Sequence, residues 1–168
     1  MAKPENKKWI WVVLAIFLLI LTRFILFKKS PGYYKAYFSN EYSIKTLKEG
    51  WRQANVKPFA TLTLLAKSKR LTTSYKIDNI AGNVLGFVPV AFLLSLLFSG
   101  RGLALRVIGI TFLISLFFEL IQLFSGLGSF DVDDLFLNSI GGALGAWIYY
   151  VFTPSENQTI SYSSMSVQ

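Results

Sequence analysis

The chain has 168 residues, a length that fits one domain, and 53% of them are hydrophobic while only 15% are charged. It contains no histidine and no cysteine, which excludes imidazole bases, thiol nucleophiles, disulfides and Cys/His zinc sites. The net charge of +8 does not indicate a nucleic-acid partner, because eleven of the 17 Lys and Arg residues lie in one loop, between Lys28 and Lys76.

Four apolar runs predict an all-α, polytopic membrane protein, a four-helix transmembrane bundle. The runs cover residues 9–27, 80–98, 103–124 and 135–152, each near the roughly 20 residues that cross a bilayer as a helix. We predict an N-terminal anchor span at 1–27, a basic interfacial loop at 28–77, a three-span core at 78–152 and a disordered polar tail at 153–168. A cleaved signal peptide is the alternative for the first run, but no small-residue cleavage site follows it.

The basic loop predicts two short helices. Residues 42–54 place Ile44, Leu47, Trp51 and Ala54 on one helical face, as in a helix that lies on anionic lipid. A solvated loop helix is the open alternative. The second helix is predicted to begin at Pro58, because proline suits the first helical turn.

Two segments share the pattern D-[ND]-x-x-x-N-x-x-G, at residues 78–86 and 133–141, and each lies at the start of an apolar span. The pattern indicates a partial internal repeat. Its aspartates are suited to capping helices, and its asparagines to bonding across them. Small residues at GxxxG spacing favour close helix approach, and proline kinks a helix. We assign helix-packing roles to six positions: Gly82, Gly86, Pro89, Gly141, Gly142 and Gly145.

Polar residues are predicted to gather at one face of the membrane. Because spans alternate in direction, the second begins, the third ends and the fourth begins at the same face, within about 10 Å of one interface. This polar layer comprises Asp78, Asn79, Asn83, Glu119, Gln122, Asp131, Asp133, Asp134 and Asn138.

The third span also carries a polar stripe. Thr111, Ser115, Glu119 and Gln122 share one helical face. A carboxylate facing lipid is costly, so we expect this stripe to face the bundle interior. Glu119 is expected to find its partners in Gln122 and the two layer asparagines, Asn83 and Asn138.

These motifs resemble the VanZ-like family of small bacterial membrane proteins. The resemblance covers residues 55–147: N-x-x-P-F at 55–59, the segment NIAGNVLGFVPVAFLL at 79–94, E-x-x-Q at 119–122 and D-x-x-D-x-x-x-N-x-x-G at 131–141. Two departures are Gly128, where the family commonly has arginine, and Ala91, where glycine is usual. If that arginine balances the acidic loop, either a different cation does so here, with Lys57, Lys76 and Arg70 as candidates, or the activity differs.

The resemblance implies a multi-pass protein of the bacterial cytoplasmic membrane, linked to low-level resistance to glycopeptide antibiotics such as teicoplanin, whose family activity is not established. The favoured hypothesis is a non-enzymatic envelope protein that needs no cofactor and binds membrane lipid, a lipid-linked wall precursor, a glycolipid or another membrane protein. One alternative is an Mg²⁺-dependent enzyme acting on polyprenyl-phosphate or phospholipid, with Glu119, Asp131 and Asp134 as candidate metal ligands. A proton-linked transporter is the other.

The orientation of the polar layer is left open. The distribution of Lys and Arg favours the basic loop inside the cell, whereas an envelope ligand favours that same face outside.

Overall fold

The structure, a computed structural model, describes residues 4–27, 30–39, 43–98 and 100–153. Across these residues the chain forms α1 (Pro4–Leu26), α2 (Pro31–Phe38), α3 (Ser43–Arg52), α4 (Ala60–Lys67), α5 (Thr73–Leu97), α6 (Leu103–Ser125) and α7 (Val132–Phe152). Helices α1, α5, α6 and α7 are long and apolar enough to cross a membrane. The predicted all-α membrane bundle is confirmed. The tail from residue 154 lies outside the described residues, and the domain boundaries stay a prediction.

Two helix starts differ from the expectation, and one helix is additional. Helix α5 begins at Thr73, ahead of the apolar run, because the Thr72 side chain accepts a hydrogen bond from the Tyr75 N–H at 3.3 Å. Helix α4 begins at Ala60 rather than at Pro58. Helix α2 was not expected, although Pro31 at its start is a recognised first-turn residue.

The apolar core lies where α1, α5, α6 and α7 meet. Helix α5 packs most extensively against α7, and α6 and α1 complete the bundle. Core residues include Leu14, Val90, Ala91, Val107 and Ala146, all of them buried. Large apolar side chains also cover the outer surface of the bundle, as expected for helices surrounded by lipid.

Glycines set the separation between α5 and α7. A Cβ on Gly141 would lie 2.2 Å from the Val84 carbonyl oxygen, and one on Gly145 would lie 2.3 Å from that of Val88. Gly142 contacts α6 in a similar way, with a Cβ 2.9 Å from the Cγ2 of Thr111. Helices α5 and α7 therefore approach so closely that no side chain fits between them at Gly141 and Gly145.

The matching spacing on α5 has a different environment. A Cβ on Gly86 would meet the Leu21 side chain of α1 at 3.1 Å, but one on Gly82 would meet nothing within 4 Å. The close packing predicted for Gly82 is therefore not found. Pro89 lies inside α5, which continues to Leu97.

The basic loop folds over the end of the bundle where α6 ends and α7 begins. Tyr37 of α2 donates a hydrogen bond to the carbonyl oxygen of Ser125. On α3, Gly50 packs against Gly128, whose carbonyl oxygen a Cβ on Gly50 would meet at 3.0 Å. Trp51 makes an edge-on contact with Phe124, with ring centroids 5.8 Å apart. The short helices therefore cover the face at which the polar layer was predicted.

Candidate functional site: a polar pocket beside an inter-loop clasp

The loop before α4 is joined to the start of α7 by a set of hydrogen bonds that we call the clasp (residues 55–62 and 130–133). The Asn55 N–H donates to the Phe130 carbonyl at 2.7 Å, and the Val132 N–H donates to the Asn55 carbonyl at 3.0 Å. The Asn55 side-chain amide donates to Asp131 Oδ1 at 2.9 Å. Two segments far apart in sequence are thus held as one unit.

Asp131 is the centre of the clasp. It caps α7 by accepting from the Asp133 N–H at 2.9 Å, and its Oδ2 accepts from the Thr61 hydroxyl at 2.5 Å. Its own N–H donates to Glu119 Oε2 at 2.8 Å. The buried Glu119 carboxylate, which is 3% exposed, therefore satisfies a backbone donor just before α7.

Asp133 caps the start of α4 from outside that helix. Its side chain is 2% exposed, and its two oxygens accept from the N–H groups of Phe59 at 2.5 Å and Leu62 at 3.1 Å. A carboxylate at a helix N-terminus is favoured by the free N–H groups and by the helix dipole. These bonds, with a ring contact to Phe136, hold Phe59 at a φ of 64°, a left-handed conformation that costs a non-glycine residue about 1 kcal/mol or more.

The amides expected beside Glu119 donate to other acceptors. Asn83 donates to Asp134 Oδ1, Asn138 donates to Ser115 Oγ at 2.7 Å, and Gln122 donates to the Ile25 carbonyl of α1 at 3.1 Å. The polar stripe of α6 does face the interior, since all four of its residues are buried. Its polar groups tie α6 to both α1 and α7.

Two asparagines each leave one buried acceptor without a donor. The Oδ1 atoms of Asn79 and Asn138 have no hydrogen-bond partner among the residues that the structure describes. An unsatisfied buried acceptor costs about 1–3 kcal/mol. Asn138 lies deep in the α6–α7 contact, whereas Asn79 lines a cavity.

That cavity, which we call the polar pocket, lies at the loop-covered end of the bundle and has a volume of about 620 Å³. Its walls come from α2, α3, α4, α5, the end of α6 and the loop into α7. Burial, together with the neighbouring Tyr34 and Tyr37, raises the pKa of Tyr33. The described lining residues carry three carboxylates and no Lys or Arg; they are Tyr33, Glu49, Gly50, Gln53, Thr61, Tyr75, Asn79, Gln122, Gly126, Leu127, Gly128, Ser129, Asp131 and Asp134.

Gly128 lies in the pocket wall where the resembling family commonly has arginine. A Cβ at this position would lie 2.8 Å from Gln122 Nε2 and 2.9 Å from its Cδ. A larger residue at 128 therefore requires Gln122 to move away from its bond to α1.

The three candidate metal ligands, Glu119, Asp131 and Asp134, all accept hydrogen bonds from the protein, and binding of Mg²⁺ to them stays a prediction. In the parts of the chain that the structure describes, no group of three or more acidic side chains is arranged to hold an ion. Both oxygens of Asp131 and both of Asp133 already accept hydrogen bonds from the protein.

The predicted polar-layer residues divide into three groups. The polar pocket is lined by Asn79, Gln122, Asp131 and Asp134. A second cavity, between α1 and α5, is lined by Asp78, Asn83 and again Asn79. The remaining three are buried in protein contacts: Glu119, Asp133 and Asn138. Whether any of them contacts a ligand stays a prediction. Sequence reasoning missed Tyr33, Thr61 and Tyr75, which belong to no recognisable motif, and it left Asn55 out of the site although its motif had been noted.

Comparison with known proteins identifies two similarities. A family described as VanZ/LLP1 matches residues 12–153 of the chain. The chain is also 26% identical over 146 residues to Protein VanZ of Enterococcus faecium, a match that covers 87% of this chain and 76% of that protein. No solved structure gives a significant match.

Proposed function

The chain belongs to the VanZ/LLP1 family, and from this premise we propose that it lowers the susceptibility of bacteria to teicoplanin-type glycopeptide antibiotics by binding an envelope ligand in the polar pocket. The ligand is a lipid-linked wall precursor, a glycolipid or another membrane component, met at the surface of the cytoplasmic membrane. The observation that carries this proposal is the polar pocket itself, a cavity of about 620 Å³ at one end of an otherwise apolar bundle.

Binding fits the geometry better than acid–base catalysis does. A general acid or base must lie within hydrogen-bond reach of the substrate proton that it transfers. Asp133 is buried and accepts from two backbone N–H groups, and both oxygens of Asp131 accept from groups of the clasp. The other polar side chains of the lining are amides, hydroxyls, phenols and the carboxylates of Glu49 and Asp134, a set typical of recognition.

The decisive experiment compares antibiotic susceptibility between variants present in the membrane at equal levels. Asp134→Asn changes the charge of the pocket at constant size, and Tyr75→Phe removes one hydroxyl from its wall. We expect Asp134→Asn to abolish the protection against teicoplanin and Tyr75→Phe to weaken it several-fold. Tyr150→Phe is the matched control, because Tyr150 is half-exposed like Tyr75 but lies near the other end of the bundle, on α7.

A conservative change at Glu119 completes the test. Glu119→Gln retains an oxygen that can accept from the Asp131 N–H, so the fold is expected to persist while the charge near the pocket is lost. If both Asp134→Asn and Glu119→Gln protect cells as well as the unmodified protein does, the proposal is refuted.

The side of the membrane at which the pocket opens can be tested separately. The chain has no cysteine, so a single introduced cysteine reports its own accessibility. Arg70 lies at the pocket end, between α4 and α5, and Arg101 lies at the opposite end, between α5 and α6; both are exposed. The proposal predicts that a membrane-impermeant maleimide labels Arg70→Cys in intact cells and labels Arg101→Cys only after permeabilisation. The reverse pattern would place the pocket in the cytoplasm and contradict binding of an outward-facing envelope ligand.

A further inference from the structure

A second cavity of about 380 Å³ opens between α1 and α5. We call it the lateral groove. One wall is apolar and comes from α1, and the other comes from α5; the lining residues are Phe17, Ile20, Leu21, Phe24, Ile25, Asp78, Asn79, Gly82, Asn83, Leu85, Gly86, Phe87 and Pro89. Its polar residues are confined to the end near the start of α5.

The length of the lateral groove along α5 is close to the thickness of the hydrocarbon layer of one leaflet. On α5 it runs from Asp78 to Pro89, which at 1.5 Å per residue is about 16 Å along the helix. Half of a typical hydrocarbon core is about 15 Å. Because α1 ends and α5 begins at the same face as the polar pocket, the groove extends from that face towards the middle of the membrane.

The lateral groove and the polar pocket meet at Asn79, which lines both cavities. The hydrogen bond from Asn83 to Asp134 makes a second link, because Asn83 lines the groove and Asp134 lines the pocket. The two adjacent cavities together change in polarity, from carboxylates and amides at the face to aliphatic and aromatic side chains further along α1 and α5. This is the polarity profile of a lipid molecule.

Asn79 has an acceptor that no donor among the described residues satisfies. Its Oδ1 is buried without a hydrogen-bond partner among them, and the residue lines both cavities. A hydroxyl group on a ligand at this junction would satisfy that acceptor.

The lining of the polar pocket determines which head group fits. Its described side chains include Glu49, Asp131 and Asp134 and no cation, so a phosphate would face carboxylates with no Lys or Arg in the described part of the lining. A sugar presents hydroxyl donors to carboxylates and amides and a face to the phenol rings of Tyr33 and Tyr75. The pocket chemistry therefore favours an uncharged head rich in hydroxyl groups.

We infer that the lateral groove holds one hydrocarbon chain of a glycolipid whose sugar head occupies the polar pocket, with Asn79 contacting the ligand where head and chain join. This inference rests on the proposed function and narrows its ligand to a glycolipid. It also explains Gly82, whose missing side chain leaves the groove open rather than allowing two helices to pack.

The groove can be filled gradually from a position at which an added Cβ has room. The series Gly82→Ala, Gly82→Leu and Gly82→Phe adds volume where a Cβ meets nothing within 4 Å, and the same series at Gly109 of α6 is the matched control because its Cβ also meets open space. Purified protein in liposomes is irradiated with glucosyl-diacylglycerol carrying a diazirine in one acyl chain. Phosphatidylglycerol with the same labelled chain is the second probe.

We expect the glycolipid to label the groove residues of α1 and α5, and at least five-fold more strongly than phosphatidylglycerol does. Labelling is expected to fall with the volume added at Gly82, at least five-fold for Gly82→Phe, and to be unchanged across the Gly109 series. Equal labelling of Gly82→Phe and the unmodified protein would overturn the groove assignment. Equal labelling by the two probes would overturn the glycolipid assignment.

The results separate this inference from the proposed function. If Asp134→Asn abolishes protection while Gly82→Phe retains both protection and labelling, the proposed function stands and the groove inference fails. If labelling responds to Gly82→Phe but protection survives both Asp134→Asn and Glu119→Gln, the groove inference stands and the proposed function fails.

Discussion

The two GxxxG pairs, Gly82/Gly86 on α5 and Gly141/Gly145 on α7, predict different effects on stability. Both glycines of α7 pack against the backbone of α5, whereas Gly82 faces open space. In Gly141→Ala the added Cβ would lie 2.2 Å from the Val84 carbonyl oxygen, and in Gly145→Ala it would lie 2.3 Å from that of Val88. These contacts are with helix backbone, which cannot rotate away as a side chain can. The α5–α7 pair must therefore separate by roughly 1 Å to reach ordinary van der Waals distance.

The size of the effect follows from that separation. A gap of this order forfeits a quarter to a half of the dispersion energy of each contact across it, and overpacking of well-packed sites costs typically about 1–3 kcal/mol. We expect each of Gly141→Ala and Gly145→Ala to lower the free energy of unfolding by roughly 2–3 kcal/mol. By contrast, Gly82→Ala adds a methyl group to open space and is expected to raise that free energy by about 0.5–1 kcal/mol, because alanine loses less backbone entropy in a helix than glycine.

The assay is titration of the purified protein in mixed micelles with sodium dodecyl sulfate, followed by far-ultraviolet circular dichroism. The expected result is a clearly lower midpoint for Gly141→Ala and Gly145→Ala, with Gly82→Ala and Gly109→Ala at or above the midpoint of the unmodified protein. The reasoning is refuted if Gly141→Ala and Gly82→Ala unfold at the same midpoint, since the close α5–α7 approach would then not constrain these positions.

The same unfolding assay tests three further predictions. Asp133→Ala removes the acceptor for two N–H groups of α4 and is expected to cost about 2–3 kcal/mol, with faster tryptic cleavage between α3 and α5; an unchanged cleavage rate would contradict the capping role. Ser115→Ala leaves the Asn138 amide without its acceptor and is expected to lower the free energy of unfolding by about 1–3 kcal/mol. The double variant Ser115→Ala/Asn138→Leu is expected to recover most of that loss. A double variant less stable than Ser115→Ala would contradict this. Glu119→Leu removes the acceptor for the Asp131 N–H and is expected to lower the free energy of unfolding by about 1–3 kcal/mol. Glu119→Gln keeps an acceptor and is expected to lower it less. Equal losses for the two variants would show that this hydrogen bond does not contribute to stability.

The membrane bundle was predictable because its signals are local and strong. Apolar runs of the required length mark α1, α5, α6 and α7, and the spacing of Thr111, Ser115, Glu119 and Gln122 correctly predicts that these four polar residues are buried. A polar group that faces lipid costs a large free energy. The helical spacing of the polar residues therefore matches the face of α6 that is buried. Alternating span direction then brings the polar residues to a common face.

The clasp was not predictable in the same way. Asn55 and Asp131 are 76 residues apart, and no periodicity reports which loop contacts which. The start of α4 moved from Pro58 to Ala60 because Asp133, on a distant helix, accepts the N–H groups of Phe59 and Leu62. The role of Gly82 was misjudged for a related reason: spacing shows that a helix has a smooth face but not whether a partner helix lies against it.

The arrangement of the acidic residues bears on how the family motifs are to be interpreted. Loops at the membrane face carry backbone N–H groups that neither lipid nor a neighbouring strand satisfies, and Glu119, Asp131 and Asp133 all accept from such groups. The motif residue Asp131 and the neighbouring Asp133 therefore build the clasp that supports one side of the polar pocket, and Glu119 holds the clasp through the Asp131 N–H. The other motif carboxylate, Asp134, lines the pocket. Tyr33 and Tyr75 line the same pocket but belong to no motif. We therefore expect ligand preference to change through substitutions at such lining positions. Substitutions in the clasp are expected to lower the stability of the protein instead. Selecting variants for altered antibiotic protection is accordingly expected to return pocket-lining positions. Recovery of stable clasp variants instead would show that the clasp carboxylates contact the ligand directly.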